Sequence, residues 1–314
     1  MRLPNLNAIR TFSRLSQLKA EQLRFQGKNK EAIEESIKSI EIGQKMQDSQ
    51  GTLIQILVAM AVKTGGLEEL HRILKKASLS PSEANVLAER LEKYKENEEG
   101  MKRVFKVEYI FTVHATDLIV EGNLDEAGEV GSMFRDEETG FDASKLTRFN
   151  FYFQPNNTKQ LFADSARLRI RNVEKPCWLL KEERGTPSPI PEFPLAVYFT
   201  ENSIGKLLYH VTHAGLNTAI IKKCEEDMLV SAAQALAAIR AYYLEQGKYP
   251  ATLQELVPKY VSKVPEDPFD GQDIKYSPTK RIIYSVGADG KDAGGSEGKE
   301  WRRMPDPTFS LDFN

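Results

Sequence analysis

The stretch that decides the fold class reads YPATLQELVPKYVSKVPEDPFDG over residues 249–271 and IKYSPTKRIIYSVGADGKDAGGSEGKEW over residues 274–301. It places a short helix, a DPFDG turn, two strands and an acidic glycine-rich loop in that order. Thr252 offers a cap for the helix LQELVPKYV, and the SPTK turn reverses strand IKYS into RIIYSVG. This order predicts a small antiparallel sheet at the C-terminal end.

A long helix leads into this stretch. Its alanine-rich middle, around residues 232–238, gives high helix propensity and allows close packing. Gly247 and Pro250 follow, as is typical of the end of a helix. We predict an α+β module over residues 217–314, in which the helix packs on the sheet. The expected seam consists of Tyr242, Tyr249, Leu253, Leu256, Tyr276, Ile283 and Tyr284.

Residues 1–121 are predicted to form a helical region. Residues 80–83 read Ser-Pro-Ser-Glu, which is a strong helix start, since serine caps, proline suits the first position and glutamate closes the cap. Residues 101–121 are β-rich in composition but keep a three-to-four spacing, so we favour a helix. The first segment, IRTFSRLSQLKAEQLRFQ, predicts a helix because large apolar residues lie near helical spacing at Ile9, Phe12, Leu15, Leu18 and Leu23.

Residues 122–216 are predicted to be a mixed, mostly helical central region with loops. Residues 122–147 are rich in glycine and acidic residues and predict a long loop. Residues 155–171 predict a helix, and the four prolines of 185–194 predict an extended connector. Residues 202–215 predict a helix separate from the longer one that follows. The predicted fold is therefore mainly α, with a helical N-terminal and central body and a small α+β module.

The overall charge excludes one large class of function. The chain has 43 basic and 45 acidic residues, so it lacks the basic bias of a nucleic-acid binder, and we expect protein partners instead. Its longest strongly apolar run, residues 53–62, is half the length needed to span a bilayer. We expect no membrane span here, although an anchor upstream in a longer parent protein would tether the chain.

Cys177 and Cys224 are either one disulfide or two unrelated thiols.

No familiar catalytic motif is present in the sequence. A nucleophile elbow, a Walker A loop, a dinucleotide-binding glycine motif and a zinc-protease HExxH are all missing. His210 and His213 would share one helical face and are the best candidates for a central hydrolase site, together with Asp164. Tyr209 and Leu208 surround them with packing residues, so ordinary structural histidines are the simpler interpretation.

The acidic loop at residues 287–300 is the best candidate for a site. Calcium takes six to eight oxygen ligands, and glycines let a backbone fold round an ion and direct carbonyl groups inward. The register of an EF-hand is missing, and a polar surface loop is the alternative interpretation. The oxygen-bearing side chains are Asp289, Asp292, Ser296, Glu297 and Glu300.

These motifs together resemble a known family. The order AIRAYYLEQGKYPATLQELVPKYVSKVPEDPFDGQDIKY, then IIYSVGADGKDAGG, is similar to the C-terminal globular domain of the major pseudopilin of bacterial type II secretion systems. The resemblance covers residues 228–301, about a quarter of the chain. It implies a structural calcium ion bound by the Val286 carbonyl and the Asp289 carboxylate, with Asp292, Ser296 and Glu300 as further ligands.

The chain departs from this family in two places. The family's loop closes on an acidic end, whereas here it closes on Lys299-Glu300-Trp301, and Lys299 adds a positive charge. The apolar helix that anchors and polymerises a pseudopilin is also missing, because the helix entering the module is charged at KKCEED. The whole chain resembles a group of uncharacterised bacterial proteins that share LNAIRTFSRLSQLKA, the segment Gln154–Thr158, the segment Asn202–Leu207 and this C-terminal module.

Three hypotheses about function follow. The first is a non-enzymatic interaction or assembly protein, extracytoplasmic or membrane-tethered, whose C-terminal module is stabilised by structural calcium. The second is a hydrolase-type enzyme with its site at His210, His213 or Asp164 in the central region. The third is a cytoplasmic helical scaffold that reuses the C-terminal fold.

Overall fold

The structure, a computed structural model, is mainly helical and carries a small three-stranded antiparallel sheet near the C-terminus, which confirms the predicted fold class. The proline-rich segment 185–194 and Lys299 lie outside the described residues. The described residues are 6–49, 51–95, 98–123, 125–126, 135–136, 141–180, 199–298 and 300–313.

The N-terminal region is built from helices joined by short connections, which place successive helices antiparallel. The capping box predicted at Ser80 and Glu83 is present. The helix over residues 101–121 is also confirmed, and it begins three residues earlier. The helices are α1 (Leu6–Phe25), α2 (Asn29–Asp48), α3 (Leu53–Leu74), α4 (Pro81–Glu92) and α5 (Glu98–Glu121).

The central region contains helix α6 (Pro155–Val173) and two short strands, β1 (Arg135–Asp136) and β2 (Phe141–Asp142). The strands pair antiparallel within the segment that was predicted to be a long loop. A 3-10 turn, Ala143–Arg148, follows them. The prediction missed this ribbon because two-residue strands carry no periodicity for a sequence pattern to reveal.

Helix α7 (Ser203–Gln246) is 44 residues long and continuous, so the prediction of two separate helices was wrong. Gly215 costs about 1 kcal/mol relative to alanine in a helix, and the helix continues through it. The helix ends at Gly247, which has a φ of +67° as a left-handed cap requires. The predicted boundary between residues 216 and 217 lies inside this helix, and the three-part division stays a prediction.

The C-terminal half of α7 is the centre of the molecule. Residues 226–242 are buried without interruption, so this stretch is covered on every side. Helices α3 and α4 contact it, as does the C-terminal sheet. The alanines predicted to allow close packing are fully buried, and they are Ala232, Ala233, Ala235, Ala237 and Ala238.

The sheet consists of β3 (Lys275–Ser277), β4 (Ile282–Tyr284) and β5 (Thr308–Ser310), in that spatial order. The sequence predicted β3 and β4 and missed β5, which follows a long loop. The predicted helix LQELVPKYV is a 3-10 turn, Leu253–Leu256. Pro258 accounts for the early stop, because it has no amide proton to donate to a continuing helix.

One core joins the helical body to the sheet. It contains buried residues of the N-terminal helices, of α7 and of the strands. His71 on α3 lies at the junction: Nε2 is 3.0 Å from the carbonyl oxygen of Leu229, and the ring packs edge-on against Phe309 of β5. Complete burial lowers the pKa of His71 to about 4, so the imidazole is neutral at pH 7.

A disulfide joins Cys177 to Cys224 and settles the alternative that the sequence left open. Cys177 lies in a 3-10 turn, Cys177–Leu180, after α6, and Cys224 lies in the middle of α7. The cross-link therefore fastens the end of α6 to the central helix.

Helix α1 packs through its small residues and exposes its large ones. Ser13, Ser16 and Ala20 are buried, and the Ser16 hydroxyl donates to Glu35 of α2 at 2.9 Å. The exposed fractions of the large apolar residues are 48% for Phe12, 60% for Leu15, 62% for Leu18 and 74% for Phe25. We call these four residues the α1 ridge. The apolar residues of an amphipathic helix usually face the core, but most of the large apolar residues of α1 face outward.

Candidate functional site

The predicted site is the loop between β4 and β5, and its two ends meet at Gly287. This glycine has a φ of +63°, and a Cβ atom there would lie 2.0 Å from the carbonyl oxygen of Pro305. Glycine is therefore required both for the backbone conformation and for the close approach. The loop consequently closes on itself, with residues 287 and 305 side by side.

The predicted ligand residues do not all converge. The Asp289 carboxylate is exposed and accepts the amide of Lys291 at 3.0 Å within its own turn. The Glu300 carboxylate is exposed and pairs with Arg303 at 3.0 Å. Asp292 is also exposed and accepts the Gly294 amide at 2.9 Å within its own turn, but it additionally accepts the Tyr284 hydroxyl at 3.2 Å.

Ser296 and Val286 are held by neighbours on either side of the loop. The Ser296 hydroxyl accepts the amide of Asp306 at 3.0 Å. The Val286 amide donates to Asp267 of the DPFDG turn at 2.8 Å, and Asp267 also accepts from the Ser285 hydroxyl. Burial raises the pKa of Asp267, and these hydrogen bonds offset part of that cost. The DPFDG motif thus fixes the end of β4.

The residue that organises the loop is Asp306, which sequence reasoning missed. Its side chain is completely buried, and Oδ2 accepts the amides of Ala293 and Gly295, both at 2.9 Å. Its other oxygen, Oδ1, is buried and has no hydrogen-bond partner among the described residues, which leave out Lys299. A buried acceptor without a donor is costly, so Oδ1 is where a cation would stabilise this loop most.

Two carboxylates, those of Asp292 and Asp306, lie near the hydroxyl of Tyr284. The pKa of Tyr284 is raised to about 12, first by burial and then by the charges of Asp292 and Asp306. Both carboxylates therefore act on the same hydroxyl. One cation already contacts the loop, since Lys280 Nζ donates to the carbonyl of Gly294 at 2.8 Å.

The far end of the loop is anchored on the helical body. The indole Nε1 of Trp301 donates to Glu68 of α3 at 2.8 Å, and Arg302 pairs with the same carboxylate at 2.9 Å. Trp301 also packs against the main core. Changes in the loop are therefore transmitted to α3 as well as to the sheet.

The loop fits a hard cation in part. Asp306 Oδ1, the Asp292 carboxylate and backbone carbonyls are the donor types that calcium prefers. Within the described residues, however, no three histidine, cysteine or acidic side chains come together as a ligand group. The ligand set carried over from the pseudopilin resemblance stays a prediction, and Asp306 is the residue that the structure adds to it.

The residues of the hydrolase hypothesis are not assembled in the described part of the chain. His210 is exposed on α7, and the side chain of His213 lies outside the described residues. Asp164 is exposed on α6, where it pairs with Arg167 at 2.9 Å and accepts from Gln160. The enzyme alternative stays a hypothesis without a geometric argument behind it.

Two motifs of the wider resemblance, by contrast, lie together. The Asn202 side-chain oxygen accepts the Gln154 amide at 2.9 Å and the Thr158 hydroxyl at 3.1 Å. A Cβ atom on Gly205 would lie 2.0 Å from the Thr158 hydroxyl, so only glycine fits there. These contacts clamp the start of α6 to the start of α7, which is a structural role.

Comparison with known proteins adds no relative. The chain matches no family model, no curated protein and no solved structure. Within the described residues, none of the helices combines the length and apolar character that crossing a bilayer requires.

Proposed function

We propose that the chain is a non-enzymatic assembly protein that associates with a second copy of itself through α1. The observation that carries this proposal is the α1 ridge. Large apolar side chains exposed one at a time are normal, but four of them along one helix are typical of an interaction surface. Helix α1 is already held to α2 through its small residues, so the ridge is available to another molecule.

The charges beside the ridge favour a second copy as the partner. Arg14 and Glu21 lie seven residues apart, and two helical turns place them on the same side of the ridge. In an antiparallel pair centred between Gln17 and Leu18, Arg14 of each copy lies opposite Glu21 of the other. Phe25 of each copy then lies opposite Arg10, although Arg24 of its own copy already covers the Phe25 ring at 4.4 Å. Such a self-complementary patch is what a two-fold dimer needs.

The expected dimer is weak. A standard interface buries about 800 Å² on each partner, and a single helix ridge buries less. We therefore expect a dissociation constant on the order of 1–100 μM, close to −8 kcal/mol at its tight end.

Reversing one charge should weaken this dimer and a complementary reversal should restore it. Arg14→Glu alone, or Glu21→Arg alone, places like charges opposite each other twice per dimer, which raises the dissociation constant roughly tenfold. An equal mixture of the two variants restores both opposite-charge pairs. Sedimentation equilibrium measures all three samples.

The matched control is Arg167→Glu, which reverses an exposed arginine on α6 away from the ridge. It should leave the dissociation constant unchanged. If each single variant dimerises as well as the wild-type chain, and mixing them changes nothing, the antiparallel pairing is wrong.

The disulfide supports an extracytoplasmic location. Stable structural disulfides form in oxidising compartments and are rare in the cytosol. Pairing of Cys177 with Cys224 therefore favours the first hypothesis over a cytoplasmic scaffold.

We further propose that calcium stabilises the loop between β4 and β5, with Asp306 and Asp292 as its carboxylate ligands. Calcium at 100 times its dissociation constant should raise the free energy of unfolding by about 2.7 kcal/mol. Asp306→Asn should abolish this rise, because it removes the charge that Oδ1 offers. Thermal unfolding with calcium and with chelator measures the effect.

Two further variants make the calcium test specific. If calcium binds through the ligand set of the pseudopilin resemblance, Asp289→Ala should abolish the calcium-dependent rise in the free energy of unfolding. If Asp306 and Asp292 are sufficient as carboxylate ligands, Asp289→Ala should leave that rise intact. Asp312→Ala, beyond β5 and outside the loop, should respond to calcium like the wild-type chain. An unfolding midpoint that is the same with calcium and chelator would rule out the metal.

A further inference from the structure

A second unexplained charge lies far from the C-terminal loop, between α5, α6 and α7. Arg169 of α6 has an exposed fraction of 2%, and among the residues that the structure describes none offers a hydrogen-bond partner to its three guanidinium nitrogens. Arginine stays protonated in proteins, so this is a buried positive charge with five N–H donors to satisfy. Buried charges are normally paired, because an uncompensated one costs several kcal/mol.

The described groups around Arg169 do not supply the missing negative charge. Burial lowers the pKa of Arg169, and the Tyr209 hydroxyl beside the guanidinium opposes this shift, although it does not reach hydrogen-bonding geometry. The nearest carboxyl on the cavity wall is Glu108 of α5, whose Oε1 accepts the Leu53 amide at 2.7 Å. Burial also raises the pKa of Glu108, which favours its neutral form.

A small, partly open space lies beside Arg169. Arg169 and Glu108 both line this cavity of about 10 Å³, together with Thr112 and the apolar side chains of Phe105, Phe162 and Leu216. This volume holds one particle of about the size of a water molecule. Sulfate, phosphate and organic carboxylates are too large for it, whereas a single-atom anion needs only a small adjustment of the walls.

We propose that Arg169 binds one buried halide ion, chloride under ordinary conditions, in this cavity. The ion accepts hydrogen bonds from guanidinium N–H groups and neutralises the charge of the guanidinium. A water molecule would satisfy the hydrogen bonds but leave the charge uncompensated, which is why the geometry favours an anion. Bound there, the ion fastens α5, α6 and α7 to one another.

The test uses the full chain at constant sodium concentration, with gluconate exchanged stepwise for chloride. Gluconate is excluded by its size, so a chloride site predicts an unfolding midpoint that rises saturably with chloride. Bromide should act like chloride, and both should broaden the 35Cl or 81Br resonance in proportion to protein. Arg169→Gln removes the dependence, while Arg171→Gln, an exposed arginine on the same helix, keeps it.

Three outcomes would overturn the proposal. The first is an unfolding midpoint of the wild-type chain that is the same in chloride and in gluconate. A water molecule in the cavity, or an inward movement of Glu108, would give this result. Another is a chloride-dependent rise that persists in Arg169→Gln. If Arg169→Gln does not fold, the wild-type resonance decides alone, and an unbroadened halide signal counts against the site.

Discussion

Replacing Lys63 by methionine is expected to lower the free energy of unfolding by about 3–5 kcal/mol, because it leaves Glu226 as an unpaired buried charge. Lys63 on α3 and Glu226 on α7 form an ion pair at 3.3 Å, and both side chains are almost completely buried. Burial raises the pKa of Glu226, and the charge of Lys63 opposes that shift. Chemical denaturation, followed by circular dichroism, measures the loss.

The size of this effect follows from how fully the pair is hydrogen-bonded. The Lys63 ammonium donates to the Gln44 side chain at 2.8 Å and to the Tyr94 carbonyl at 2.6 Å. The Gln47 side-chain amide donates to both oxygens of Glu226 at 2.9 Å. This network ties α2, α3 and α7 together, so removing one charge affects three helices.

Two comparisons show whether the loss comes from the unpaired charge. The double variant Lys63→Met, Glu226→Leu should recover most of the stability, since apolar replacement of a whole buried pair is often neutral. Lys259→Met removes one partner of the exposed pair with Glu245 and should lower the stability far less, because solvent screens exposed charges. A Lys63 variant as stable as the wild-type chain would contradict the buried pair.

The second large effect is expected from the disulfide. Replacing both Cys177 and Cys224 by serine should cost about 4 kcal/mol in the chain-entropy description, because the cross-link closes a loop of 47 residues. The loss should appear as a lower denaturant midpoint, with a slope that increases if the unfolded chain becomes more expanded.

Reduction provides the control for this variant. A thiol reductant should lower the midpoint of the wild-type chain to that of the double serine variant and leave the variant unchanged. If the two proteins unfold at the same midpoint under oxidising conditions, the cysteines are not paired in the folded chain.

The fold class could be predicted from the sequence because, toward the C-terminal end, the helix-ending and helix-forming residues favour the same structure that tertiary packing stabilises. Gly247 ends α7 as expected, and the alanine-rich stretch before it is buried on all sides. The prediction failed at Gly215, because a single glycine weakens a helix by only about 1 kcal/mol and α7 continues through it without a break. Strand β5 was missed because a three-residue strand after a long loop pairs through its partner β4, which sequence spacing does not reveal.

The candidate sites were harder to predict than the fold. The acidic loop was found by composition, but Asp306 lies beyond it, between two prolines, and only the fold brings it beneath residues 293–295. Three residues of the α1 ridge, Phe12, Leu15 and Leu18, belong to the apolar pattern that predicted this helix, but sequence cannot say which side of the helix points inward. Arg169 looks like an ordinary helix arginine until the burial of its guanidinium is known.

The central claim is that the α1 ridge joins two copies of the chain. The most direct measurement is the weight-average mass by sedimentation equilibrium from about 1 to 500 μM, a range that brackets the expected dissociation constant. The wild-type chain should rise from 35.5 kDa toward twice that mass, while Leu15→Glu with Leu18→Glu should stay at 35.5 kDa with an unchanged unfolding midpoint. A wild-type mass of 35.5 kDa over the whole range would contradict the claim.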